Sequence, residues 1–173
     1  ASRDAALVDR VLGGDEPILL DASANEVSVE EVLAADPDVF LAPYSGLTQE
    51  EYDALTDAGI PVVAYPETAW STPWQEVITI VGEAMGRSAE AEQVLADLDA
   101  QIADTAAAHP EFADATIAYI DDDVDTFYMY LPSDPRVVIL EQLGFTTPES
   151  VTALDTGEGT FYTTVSYENL DKI

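Results

Sequence analysis

The chain has 173 residues, of which 35 are Asp or Glu and 5 are Lys or Arg, giving a formal charge of −30. That balance excludes the clustered cations that nucleic acid or an anionic membrane surface would need. At 47% hydrophobic the chain can bury a core, and without cysteine it has no disulfide scaffold, no thiolate metal site and no thiol nucleophile.

The acidity reads first as a solvated surface of the kind that keeps proteins soluble at high salt. No apolar run approaches a membrane span, and no charged-then-apolar leader stands at Ala1.

In chain order, short apolar runs alternate with amphipathic helical stretches. Residues 18–21 read as a first strand. Ser28-Val29-Glu30-Glu31 has the spacing of a capping box, which predicts a helix start. A strand at 39–42 follows. Thr48-Gln49-Glu50-Glu51 opens a second capped helix that Gly59 closes, and a strand at 62–65 comes next. Strands separated by helices in this rhythm predict right-handed βαβ units around a parallel sheet.

The rhythm then breaks. Thr72-Pro73-Trp74-Gln75 combines an N-cap, proline in the first turn and Gln three residues after the cap. Val77, Ile78, Ile80, Val81 and Met85 continue one apolar stripe, and Ser88 is expected to cap a second helix ending near His109-Pro110. This predicts a helical connector from about Pro73 to Ala108. Strands are expected at 116–120 and 126–131, on either side of an acidic turn at Asp121-Asp122-Asp123. Asp134-Pro135 should start a helix that ends at Leu143-Gly144. Phe161–Val165 should be a short strand, and Ser166-Tyr167-Glu168 should cap a last helix. The expected organisation is an N-terminal α/β lobe lacking its first strands at 1–72, connector helices at 73–109, and the start of a truncated C-terminal α/β lobe at 110–173. The fold class is α/β: a parallel-sheet lobe joined by a long connector helix to a second, incomplete α/β lobe.

Catalytic signatures are missing. His109 is the one histidine and stands before Pro110 with no Ser partner at a useful spacing, so it reads as structural or solvated. Gly157-Glu158-Gly159 lacks the strand and helix of a phosphate loop and reads as a turn. The Asp121–Asp125 cluster lacks calcium-loop spacing and reads as a solvated loop, with no metal assigned. Aromatic residues past the strand ends are more informative, because ligands of parallel α/β sheets bind outside the carboxyl ends of the strands. Those positions hold Tyr44 with Ser45, then Tyr65 and Trp70, and in the second lobe Tyr128 and Tyr130. Flat apolar surfaces with a polar tip suit a sizeable organic ligand.

Taken together, these segments resemble the substrate-binding proteins of ABC importers for iron–siderophores, haem and cobalamin. The resemblance rests on Ser28 through Ala42, with Pro37-Asp38 leading into a strand, and on Gly59-Ile60-Pro61-Val62-Val63. It continues through Thr72-Pro73-Trp74-Gln75 to Gly82, Met85-Gly86 and Ala91-Glu92. In the second lobe it rests on Leu143-Gly144 and Val165-Ser166-Tyr167-Glu168-Asn169-Leu170.

The resemblance implies a non-catalytic, extracytoplasmic protein, in the periplasm or on the cell surface as a lipoprotein. It would capture a metal chelate between two lobes and deliver it to permease subunits. The lipid anchor and signal segment would lie outside this sequence, which reads as a central fragment. No cofactor is expected. The ligand would be a ferric siderophore, with haem and cobalamin as alternatives, held by Tyr44, Ser45, Tyr65, Trp70, Tyr128, Tyr130 and Arg136. Glu30 and Glu168 stand in the family's glutamate positions, which implies that they dock on permease arginines. Relatives commonly line the cleft with several Arg or Lys. Here Arg136 stands nearly alone in the second lobe, which favours a neutral or cationic chelate held by aromatics. The alternative from another class is a two-lobed α/β metal-dependent enzyme using carboxylates. A third reading is the binding lobe of a signalling receptor.

Overall fold

The computed structural model describes residues 18–20, 27–123, 126–157 and 160–172. They fall into two compact units: those up to Phe40 together with Thr48–Val62, and Leu41–Leu47 together with those from Val63 onward.

In the first unit, helix α1 spans Val29–Ala35 and helix α2 spans Gln49–Asp57. Both begin where local side-chain chemistry dictates. The Ser28 hydroxyl accepts from the Glu31 N–H at 3.3 Å. Thr48 and Glu51 form a reciprocal capping box, so two helix-end donors are satisfied without tertiary help. The Glu51 carboxylate also accepts from the Val27 N–H at 2.8 Å, tying the approach to α1 onto α2. Among the described residues of this unit, Val32, Leu55 and Ile60 are the buried apolar ones. The last helical turn of α2 passes through Ala58 to Gly59 at φ +91°, a left-handed position that favours glycine.

Strand β1 spans Phe40–Ala42 and strand β2 spans Val62–Ala64. They are neighbours in a parallel two-stranded sheet with α2 as the crossover, as the alternating pattern predicts. The expected strand at 18–21 is not found. Ile18, Leu19 and Leu20 carry no strand pairing and are exposed, Leu19 to 86%, and Asp21 lies outside the described residues. An apolar triplet alone does not make a strand, and no strand among the described residues pairs with this one.

In the second unit, helix α3 spans Trp74–Ala84 and helix α4 spans Ser88–Ala108. With 21 residues, α4 is about 32 Å long at 1.5 Å per residue. The connector is therefore two helices packed on each other, broken at Gly86, whose φ of +66° ends α3. The crossing is tight because Gly82 has no side chain, and a methyl there would overlap the Ala91 Cβ. Two expected caps are corrected. Pro73 occupies the N-cap of α3, leaving the Thr72 hydroxyl without that role. Ser88 is the first residue of α4, with Arg87 at its N-cap. In each case the backbone turns into the helix one residue later or earlier than the side chain that could have capped it.

A 3₁₀ turn at Pro110–Asp114 leads to an antiparallel sheet. It is built from β3 (Ile120–Asp123), β4 (Thr126–Tyr130) and β5 (Tyr162–Val165), in that spatial order. The expected strand at 116–120 is thus displaced, and Asp121–Asp123 belong to the strand, not to a turn. Pairing with β4 sets this register: Ile120 faces Met129 and Asp123 faces Thr126. Thr116 makes only an isolated bridge to Thr146. Alternation along β4 buries Phe127 and Met129 and turns Tyr128 and Tyr130 to the other face. Met129, Val151 and Val165 form the core here, with Ala118, Leu154 and Leu170 against it. Each such fully buried side chain contributes about 1.5–3 kcal/mol.

Helix α5 spans Pro135–Gln142, with Asp134 as N-cap, and Gly144 at φ +108° follows its end, as expected from the sequence. A single turn, α6, covers Glu149–Thr152. The last element, Tyr167–Lys172, is a 3₁₀ helix where an α-helix was expected. Among the described residues no helix is long and apolar enough to cross a membrane.

Candidate functional site

The second unit contains a cavity of about 600 Å³, within the usual range for organic ligands. One part of its wall is the segment after β1 and the segment after β2, which present Tyr44 and Trp70. The start of α3 adds Thr72, Trp74, Val77 and Ile78. The start of α5 and the approach to β5 add Pro135, Arg136 and Phe161.

Local constraints hold the aromatic wall. Tyr44 and Trp70 meet edge to face, with ring centroids 5.5 Å apart, the arrangement that aromatic quadrupoles favour. Trp70 sits at φ +59°, a left-handed conformation that is costly for a bulky residue. Its N–H donates to the Ser45 carbonyl at 3.0 Å. Ser45 in turn donates its hydroxyl to the Ala42 carbonyl and accepts from the Leu47 N–H. Tyr65 donates its hydroxyl to the Leu47 carbonyl at 3.0 Å. Ser45 and Tyr65 therefore brace the loops that carry Tyr44 and Trp70 and do not themselves line the cavity.

On the other wall, Arg136 is the one charged side chain among the described lining residues. Its guanidinium carbon lies 3.9 Å from the Tyr130 ring centroid and 5.6 Å from that of Tyr119, a cation–π geometry. Its Nε and Nη2 donate to the two oxygens of Asp134 at 2.8 and 2.7 Å. The Arg136 side chain is 42% exposed, while the Asp134 carboxylate is fully buried. Hydrogen bonding to Asp134 is the main reason the guanidinium is held more firmly protonated than usual. Tyr44 is pushed up from its ordinary value of 10.0, first by burial and then by the Asp134 charge, with Arg136 opposing. At neutral pH it is an un-ionised phenol.

Two buried polar atoms in this wall, Thr72 Oγ1 and Trp74 Nε1, have no hydrogen-bond partner among the described residues. An unmet buried group of this kind costs about 1–3 kcal/mol.

Of the residues expected from the sequence, Tyr44, Trp70 and Arg136 line this cavity, and Tyr130 supports Arg136 from below. Tyr128 lies outside the lining and pairs with Tyr162, with ring centroids 5.5 Å apart. Thr72, Trp74, Phe161 and Asp134 are not among the site residues that the sequence announces. Asp134 alone had a local signal: in Asp-Pro-Arg the N-cap carboxylate stands two residues from a cation that can fold back on it. Glu30 and Glu168 are exposed, each in the first turn of its helix. His109 stacks on Phe112, with centroids 4.8 Å apart, and pairs with Glu111 at 3.0 Å. Among the described residues no group of three or more Asp, Glu or His side chains could hold a metal ion.

Solved structures of similar fold exist. PiaA of Streptococcus pneumoniae TIGR4, in complex with ferrichrome, is 30% identical over 97% of this chain, with a TM-score of 0.81. A periplasmic solute binding protein of Mycobacterium smegmatis str. MC2 155 is 27% identical over 80% of this chain, with a TM-score of 0.71. FhuD2 of Staphylococcus aureus, with bound ferrioxamine B, shares the fold at 20% identity and a TM-score of 0.65, over 83% of this chain. The present chain spans 56% of PiaA, 49% of the mycobacterial protein and 55% of FhuD2. No curated protein matches the sequence. The family model described as periplasmic binding protein matches residues 12–172. With nearly its whole length matched, the chain belongs to the periplasmic binding protein family.

Proposed function

We propose that the chain belongs to the extracytoplasmic substrate-binding protein of an ABC importer, one that captures an uncharged or cationic ferric siderophore and hands it to a permease. It would do no chemistry on that ligand. The observation that carries this reading is the aromatic cavity of about 600 Å³ in which the one charged residue among the described lining is already paired. Iron(III) wrapped by three hydroxamates has no net charge, and its organic periphery offers apolar surface and carbonyl oxygens. Tyr44, Trp70 and Phe161 suit the surface, and the part-exposed Arg136 guanidinium, whose Nη1 is not used by Asp134, suits the oxygens. The complex of PiaA with ferrichrome is the nearest chemical parallel among the structures above. A carboxylate-using enzyme finds no support in a cavity with no carboxylate among its described lining residues.

The test is a tryptophan-quenching titration of the full-length protein with ferrichrome, haem and cobalamin. Saturable quenching by ferrichrome is expected, weakened by about 1–3 kcal/mol in Trp70→Ala as one well-packed wall is lost. Unchanged affinity in both Trp70→Ala and Tyr44→Ala would remove this site.

A further inference from the structure

Arg136 is held unusually completely for a residue in a ligand cavity. Asp134 Oδ1 accepts from both its backbone N–H and its Nε, each at 2.8 Å, and Oδ2 accepts from Nη2 at 2.7 Å. The carboxylate has no solvent exposure and is fixed as the N-cap of α5, with Pro135 behind it. Tyr130 closes the flat face of the guanidinium at 3.9 Å. A free arginine at a cavity wall is a fork for anions. This one has its Nε–Nη2 edge filled by an internal carboxylate.

We propose that Asp134 is a positioning residue that sets the charge preference of the cavity, holding Arg136 as a rigid, neutralised donor surface that admits uncharged or cationic chelates and turns anionic ones away. This rests on the reading of the cavity as a ferric-chelate site. An anionic chelate could take the Nε–Nη2 edge of Arg136 only by stripping it from Asp134, which would leave a buried carboxylate unpaired, a strongly unfavourable state, and at the remaining Nη1 donors it would meet a pair whose charges already cancel. An uncharged chelate meets no such demand: it packs on the aromatics and uses whatever guanidinium donors remain. The overall charge of −30 acts in the same direction at longer range.

The experiment compares ferrichrome with an anionic ferric tris-catecholate on the full-length protein. Native protein should prefer ferrichrome. Asp134→Asn keeps an N-cap oxygen but removes the charge, and should narrow that preference by about tenfold or more, mainly through tighter catecholate binding. Asp134→Ser, which also keeps a capping oxygen, should do the same and guards against one variant misfolding. A merely structural role for Asp134 would weaken both ligands together, and an unchanged ratio in the folded variants overturns the proposal. A further readout needs no variant: in native protein, added salt should leave catecholate affinity level or raise it, because the net field repels. Catecholate affinity that falls with salt would mean that Arg136 acts as a free cation, and would overturn the proposal. If native protein binds neither chelate, the functional reading fails and this inference with it. If native protein binds ferrichrome but the ratio does not move, only the role of Asp134 fails.

Discussion

Gly46 makes room for Trp70: a Cβ at position 46 would stand 2.5 Å from Trp70 Nε1 and 3.1 Å from Cε2. Gly46 is not among the positive-φ glycines, so space and not backbone freedom accounts for it. Gly46→Ala should therefore push the indole out of its place against Tyr44. The expected cost in stability is about 1–3 kcal/mol, the usual range for overpacking, together with weaker ferrichrome binding and an altered near-ultraviolet tryptophan signal. A variant with native spectrum and native affinity would show that the indole does not need this seat.

The capping box of α2 predicts a pH effect. Glu51 accepts from the Val27 N–H, the Thr48 N–H and the Thr48 hydroxyl at 2.8, 2.8 and 2.7 Å. These bonds, the one from Val27 foremost, hold its carboxyl below the ordinary value of 4.5. A depressed folded-state pKa stabilises above the unfolded value, and that stabilisation is lost as pH falls through the folded one. The stability difference between native protein and Glu51→Gln should thus be full above pH 4.5 and shrink below it. Denaturant titrations at several pH values check this, and a constant difference would contradict it. Thr48→Ala should cost about 0.5–2 kcal/mol at neutral pH.

Glu30 and Glu168 separate two roles. As first-turn carboxylates they would each add about 0.3–1 kcal/mol through the helix dipole and nothing to uptake. As docking residues they would meet permease arginines, whose forks grip carboxylates. Glu30→Arg with Glu168→Arg in the full-length protein should then leave chelate binding intact while import collapses through like-charge repulsion. Normal transport by the double variant would place the permease contact elsewhere.

What could be read in the sequence was mostly what is decided locally. The Thr48–Glu51 box, the Asp134 cap and the turn at Gly144 depend on residues within a few positions of each other. The position of β3 does not: Asp121–Asp123 become strand because β4 pairs with them, and nothing in three consecutive aspartates announces it. Likewise, the rule for strand ends reached Tyr44 and Trp70, which follow β1 and β2 directly. Phe161 and Arg136 join them in the cavity only through tertiary folding, over separations that no motif spans. The caps expected of Thr72 and Ser88 failed for a subtler reason, since a suitable side chain does not determine at which residue the backbone enters the helix.

If the cavity lined by Trp70 and Arg136 receives an iron chelate, anomalous diffraction at the iron edge, from crystals of the full-length protein grown with ferrichrome, should show one strong iron peak inside it. The chelate should pack on Tyr44, Trp70 and Phe161, with Arg136 still paired to Asp134. An iron peak elsewhere on the protein, or a bound chelate that leaves these aromatics untouched, would contradict it.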